Sequence, residues 1–323
     1  MDIDRIQGET IFVTGGAGFI GSTLIGRLLD SNRVTVYDNF ARNALQEKSY
    51  NGHPNLTVVQ GDILDYAKLR RAMKNSTYIV HAAAIAGIDS VIRSPVTTMS
   101  VNMVGSYHVL QAASTLKNCK RIVCFSTSEV FGQLAFRSKE TSPAVMGAVG
   151  EARWTYAVSK LSVEHLAYAY YKELGLPTVT VRPFNVYGPG QVGEGALRAF
   201  VLQALRGEPL RIHGDGTQIR AWCYIDDMVD GILCAMVKDE AVGQSFNIGN
   251  QKTVITVYGL ASTVLRVLRS TSEIQFIGAD SVDIELRIPN VEKAKSLLGF
   301  EAAVGLEEGI CRTASFYRAK IQE

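Results

Sequence analysis

The stretch Thr10-Ile-Phe-Val-Thr-Gly-Gly-Ala-Gly-Phe-Ile-Gly21 decides the fold. Thr10 to Thr14 is a β-branched, mostly apolar run and predicts a buried strand. It passes straight into Gly15, Gly16, Gly18 and Gly21, while Ile20, Leu24 and Leu28 recur at four-residue spacing and predict a helix. Glycines let a backbone turn tightly and approach a pyrophosphate, and the helix N-terminus offers free N–H groups and a positive dipole end. One glycine motif alone is weak. Here an acid stands at the right distance, Asp38, at the end of the next predicted strand, Val34–Asp38. It can accept hydrogen bonds from an adenosine ribose diol and would repel a 2′-phosphate, so NAD is expected rather than NADP. Arg42, four residues on, is the feature that argues the other way.

The same rhythm continues outward. Further strands are predicted at Leu56–Gln60, Tyr78–His81, Ile122–Ser126, Val179–Arg182 and Ser245–Ile248, with a helical pattern at Val101, Val104, Val109 and Ala112. Nearly continuous apolar strands alternating with amphipathic helices indicate an α/β fold, a Rossmann-type doubly wound parallel sheet. After Pro183 the pattern loosens, with turns at Gly188-Pro189-Gly190 and Gly214-Asp215-Gly216. The expected division is a nucleotide-binding domain over 1–183, rejoined by 222–261, and a smaller α/β substrate cap over 184–323, mainly 184–221 and 262–323.

Composition narrows the function. In 323 residues, 33 basic side chains face 31 acidic ones and no basic block occurs, so nothing points to nucleic acid. Met1 to Arg5 has no apolar signal-peptide core, and the most apolar stretch, Tyr78 to Gly87, is too short to span a bilayer. A cytoplasmic enzyme with no membrane partner is expected. Five cysteines (119, 124, 223, 234 and 311) form no C-x-x-C pair and read as reduced thiols. Five histidines make no ligand cluster, so no metal site is expected, and His81 reads as a hydrogen-bonded core residue.

Asp62, after the third strand, suits either the adenine amino group or the N-cap of a helix from Tyr66. Tyr156 and Lys160, four apart in a helical pattern, share one face. A nearby ammonium stabilises a phenolate and lowers its pKa. With Thr127 as hydroxyl partner, Tyr156 can take the proton of an alcohol as hydride leaves.

Together these residues resemble an extended short-chain dehydrogenase/reductase of the nucleotide-sugar epimerase/dehydratase kind. The resemblance covers nearly the whole chain. It rests on Thr14 to Gly21, Asp38-Asn-Phe40, His81-Ala-Ala-Ala84, Asn102, Ser126 to Gly132 and Tyr156 to Lys160. It continues through Arg182-Pro-Phe-Asn-Val-Tyr-Gly-Pro189, residues 207–232, Arg287 and Lys293 to Gly299. It implies bound NAD, recycled within each turnover, and oxidation at C4 of a sugar on a nucleoside diphosphate, with a UDP-sugar as the partner. By that resemblance NAD contacts come from Gly15, Gly18, Phe19, Ile20, Gly21, Asp38, Asn39, Asp62, Ile63, Ala82, Ala83, Ala84, Asn102, Ser126 and Pro183, besides Tyr156 and Lys160. Asn185, Arg220 and Arg287 would bind the diphosphate, and Ala86, Gly87 and Ser90 would lie near the sugar. A planar guanidinium suits a diphosphate on physical grounds as well. The resemblance also implies a homodimer through helices near 97–116 and 156–173, with Tyr168, Tyr170 and Tyr171 on that face or in the core.

The stretch Thr127-Ser128-Glu129 bears on the outcome. Sugar-nucleotide 4,6-dehydratases are similar but read Thr-Asp-Glu, the Glu serving as C5 base and the Asp as acid at C6. Here Ser128, a far weaker acid, replaces the Asp. Glu129 would then take the C5 proton and itself protonate the leaving C6 oxygen, giving a 5,6-alkene, the outline of the 5,6-dehydratases acting on UDP-N-acetylglucosamine in tunicamycin biosynthesis. Two alternatives stand beside this. A plain 4-epimerase needs no such carboxylate. UDP-glucuronate decarboxylases also read Thr-Ser-Glu but usually follow the lysine with Arg, where this chain has Leu161.

Overall fold

The computed structural model describes residues 6–278 and 284–322; the Met1–Arg5 segment lies outside them. Its centre is a seven-stranded sheet. The strand order is Gln244–Ile248, Thr178–Pro183, β5 (Arg121–Phe125), β4 (Tyr78–His81), β1 (Thr10–Thr14), β2 (Arg33–Asp38) and β3 (Leu56–Gln60). Every neighbouring pair is parallel. All seven predicted strands are present, with ends moved by a residue or so; Ser126 falls just beyond β5.

Side chains alternate between the two faces, as a strand demands. Ile11 and Val13 enter one buried cluster, and Phe12 enters the other. Both faces are therefore covered, which is why these strands carry apolar residues in sequence. The chain runs from β1 out to β3, then returns to β4 on the other side of β1. That reversal opens a crevice at the carboxyl ends of β1 and β4, where Thr14 and His81 are register partners.

The remaining strands form small sheets. Val254–Thr256, Ile219–Ala221, Leu286–Pro289 and Leu134–Ser138 make one of four strands. Val186–Tyr187 pairs with Cys223–Tyr224, and Leu210–His213 with Ile274–Ile277. Leu134–Ser138 comes from the first 183 residues yet pairs with Leu286–Pro289, so the chain enters the small sheet directly after the Thr127–Glu129 stretch. Helix Ile225–Val237 packs against β5 and its two outer neighbours. The larger buried cluster runs from Ile6 to Tyr317 and spans both parts.

The 21-residue helix Trp154–Leu174 carries Tyr156 and Lys160 and stops at Gly175, whose φ of 66° is the left-handed conformation glycine adopts freely. Helix Tyr66–Met73 is capped by Asp65, which accepts from Lys68 N at 3.0 Å. The N-cap alternative for Asp62 is therefore wrong: it sits too early in the chain and accepts from Leu64 N instead, at 2.9 Å. Among the described residues, no helix is long and apolar enough to cross a membrane.

Candidate active site

A cavity of about 720 Å³ lies over the carboxyl ends of the central strands. Its floor is the glycine turn. Gly15 has φ +70°, and a Cβ there would stand 2.5 Å from Ala83 N. A Cβ on Gly21 would meet Gly15 O at 2.6 Å. Helix α1 (Phe19–Leu28) begins at once, with no side chain capping its first N–H groups and no acid in its first turn. Those N–H groups and the dipole suit an anion.

Asp38 closes β2. Its carboxylate accepts from Ala17 N at 2.9 Å and Phe40 N at 2.8 Å; burial raises its pKa against those two bonds. Asn39, Asp62, Ile63 and Ala82 to Ala84 line the same cavity, as do Gly18, Phe19, Ile20, Ser126 and Pro183. Lys160 lines it too, and its Nζ is buried with no hydrogen-bond partner. An ammonium in that state asks for acceptors. The ribose hydroxyls and pyrophosphate of a dinucleotide answer both the orphan and the cradle, so the residues present fit NAD. Replacing Gly15 by Val is expected to abolish NAD binding, measured by calorimetry, because the side chain would drive into Ala82 and Ala83.

Tyr156 faces the cavity from the helix, hydrogen-bonded to the Thr127 hydroxyl. The Lys-lowered phenol expected from sequence is corrected here. Burial, and then the charge of Glu129, push the Tyr156 pKa up, outweighing Thr127, Arg287 and Arg42. Lys160 is itself held down to about 8 by burial, with Cys124 and Glu164 beside it opposing the shift. A desolvated ammonium is a weakened cation.

Thr127 is extended, and the chain then enters a short helical turn, Ser128–Phe131. Thr127 Oγ1 accepts from Glu129 N at 3.2 Å. Glu129 is largely buried, with Arg287 Nη1 3.5 Å from its Oε1. Its charge acts on the Tyr156 phenol, although Glu129, like Ser128, does not border the cavity. Ser128 is buried at 2% exposure and does not border the cavity. The catalytic and substrate-side role expected of it is therefore corrected: the turn sends it into the protein.

Asn102 needs the same correction. It is fully buried away from the cavity, in a widened helical turn, Ser100–Val104. Its side chain clasps both backbone groups of Ile85 and donates to Ser159 Oγ at 3.0 Å; Ser159 in turn donates to Tyr156 O. It braces the site rather than lining it. His81 is neutral in the core, its ring nitrogens bonded to Thr14 Oγ1 and Ser106 Oγ at 2.7 Å each, with burial pushing it down to about 3.

Ala86, Gly87 and Ser90 line the cavity; Asn185, Arg220 and Arg287 do not. Arg287 stands beside Glu129. Arg220 and Arg287 are register partners in the small sheet, and Asn185 Nδ2 donates to Ala221 O at 2.8 Å. Asn185 has φ 35°, a conformation asparagine tolerates better than most residues. Among the described residues, no group of three metal-ligating side chains occurs.

Sequence reasoning weighed Arg42 only as a cue for NADP. Its Nη2 donates to Ala86 O at 2.9 Å across the cavity, beside Gln191, Val192 and Glu194. Gly193, with φ +82°, leaves room for it: a Cβ there would sit 2.8 Å from the Arg42 guanidinium carbon.

A dinucleotide cradle with Tyr, Lys and Thr around one cavity defines a Rossmann-type redox enzyme. The chain belongs to the NAD dependent epimerase/dehydratase family, whose model matches residues 11–249. The UDP-N-acetyl-alpha-D-glucosaminuronate decarboxylase of Bacillus cytotoxicus is 32% identical over 318 residues, covering 95% of this chain and 97% of its own. UDP-glucuronic acid decarboxylase 1 of Xenopus tropicalis is 32% identical, covering 97% and 73%. Among solved structures, a Bacillus cereus UDP-glucuronic acid 4-epimerase in complex with UDP-glucuronic acid and NAD is similar, with TM-score 0.88, 28% identity and coverage of 96% and 99%. A Bacillus anthracis dTDP-glucose 4,6-dehydratase in complex with NAD has TM-score 0.86, 28% identity and coverage of 98% of both chains.

Proposed function

We propose that this family member is a UDP-sugar dehydratase that oxidises C4 transiently, removes the C5 proton and expels the C6 hydroxyl. The observation that carries this reading is Glu129, a carboxylate beside Tyr156 with Arg287 as its charge partner. Gly15, Gly18 and Gly21 would hold the pyrophosphate of NAD, Asp38 its adenosine ribose, and Lys160 the other ribose. When bound, NAD supplies the acceptor and donor of the C4 hydride.

Tyr156, supported by Thr127, takes the C4 hydroxyl proton in its phenolate form, which the positive charge of a bound nicotinamide would favour against burial and Glu129. A C4 ketone acidifies C5–H, and Glu129 would receive that proton. With Ser128 turned away, the same carboxyl returns the proton to the departing C6 oxygen. The C4 carbonyl then takes its hydride back and its oxygen takes the proton back from Tyr156, so the net change is loss of one water and a 5,6-double bond. A simple epimerase would gain nothing from a carboxylate at this spot. Arg220, Arg287 and Asn185 would hold the diphosphate, and Ala86, Gly87 and Ser90 the sugar.

A second reading, decarboxylation of a UDP-uronate, is favoured by the relatives named above. Leu161 opposes it; that position is apolar and packs with the cluster of Val130, Phe131, Ala135 and Phe184. Product masses from UDP-hexoses and UDP-glucuronate separate the two.

A second copy of the chain is the proposed partner. Val104, Tyr107, Val158 and Tyr168 are exposed on helices Gly105–Ser114 and Trp154–Leu174 and the turn before the first. Tyr170 instead packs against the core, and Tyr171 lies against Gly243.

A further inference from the structure

Glu164 stands one helical turn beyond Lys160 and two beyond Tyr156. Spacings of four place all three on one face. The Glu164 side chain is only 6% exposed and its carboxylate is saturated with donors. Arg182 gives Nε to Oε1 at 2.8 Å and Nη2 to Oε2 at 2.7 Å. Ser126 Oγ donates to Oε1, and Ser245 Oγ donates to Oε2 at 3.2 Å. These donors come from the ends of three adjacent strands, so one carboxylate ties the helix to all of them. Ser126 leads directly into Thr127. The Arg182 guanidinium lies 4.9 Å over the ring of Phe131, in the turn that carries Glu129.

Buried ion pairs are weak evidence for stability, since desolvation offsets much of their attraction. What this pair touches matters more. The groups around the Lys160 ammonium are Cys124 on β5, His81 on β4, and Tyr156 and Glu164 on its own helix. Burial holds Cys124 up at about 12 and His81 down at about 3, and the Tyr156 phenol is raised, so all three are uncharged at neutral pH. Of these neighbours, Glu164 supplies the negative charge.

We propose that Glu164, locked to Arg182, is a positioning residue of the active site. It fixes the Thr127–Glu129 segment against the helix of Tyr156 and Lys160, and it sets a buried negative charge one helical turn from the Lys160 ammonium. The proposal rests on Tyr156 and Lys160 being the reacting pair, but its test needs no turnover.

The test follows proton loss from Lys160 in the full, ligand-free chain, by NMR of ε-¹³C-labelled lysine, with Lys160→Arg assigning the signal. Glu164→Gln removes the anion and leaves the Arg182 cation, so Lys160 should lose its proton about one pH unit lower. Arg182→Met breaks the same pair but keeps the anion, so Lys160 should titrate at the wild-type pH or higher. An unchanged midpoint in Glu164→Gln, or a fall in both variants, would overturn the proposal, since a merely structural pair has no reason to move them differently. If either single variant fails to fold, Glu164→Gln/Arg182→Met removes both charges together and still predicts a midpoint below wild type; a midpoint at the wild-type value counts against the proposal.

Discussion

Tyr156→Phe is expected to lose about 10²-fold or more of turnover with any accepted UDP-sugar, about 2.7 kcal/mol or more of transition-state stabilisation. The phenol is the group that Thr127 bonds and that Lys160, one turn away, shares a cavity with. Its pKa is raised by burial and by Glu129, so the ligand-free side chain holds its proton, and the positive charge of a bound nicotinamide would favour the phenolate that accepts the sugar hydroxyl's proton. Removing one oxygen leaves the cradle untouched. NAD should therefore still bind, by calorimetry, while steady-state turnover collapses. Near-wild-type turnover in the variant would take Tyr156 out of the mechanism.

Glu129→Gln is the second large effect. The amide keeps the shape and can still meet Arg287, but it cannot accept the C5 proton. Loss of a positioned base costs about 10²-fold or more. Incorporation of solvent deuterium at C5 of the recovered substrate should vanish, along with the eliminated product. Oxidation at C4, which uses Tyr156, should persist. A variant whose products match the wild type would show that Glu129 only braces Arg287 and that the enzyme does not eliminate.

The sheet was legible because each of its strands is an apolar run bounded by turns, and a parallel sheet covered on both faces writes that pattern plainly. The cradle was legible because glycine, strand, helix and Asp38 constrain one another. Other features depend on geometry that spacing does not carry. Asp62 and Asp65 are chemically alike and three residues apart; only the real start of the helix chooses the cap. Ser128 turns inward because the chain leaves extended geometry just after Thr127, which ends the alternation that strand reasoning relies on. The rise in the Tyr156 pKa comes from burial, and the Lys160 ammonium expected to oppose it is itself desolvated. Asn102 is recognisable as part of a motif, yet its bonds to Ile85 and Ser159 belong to tertiary structure. Arg42 crosses the cavity to a residue 44 positions away, and Glu164 meets Arg182 from a different element.

The most direct test is the mass of the product formed when the NAD-loaded chain is given UDP-glucose, UDP-N-acetylglucosamine and UDP-glucuronate in separate reactions. The placement of Glu129 predicts a product lighter by one water from at least one of the two hexose substrates, with NAD unchanged at the end. Products of unchanged mass from the hexoses, or loss of carbon dioxide from UDP-glucuronate with no dehydration of either hexose, would contradict it.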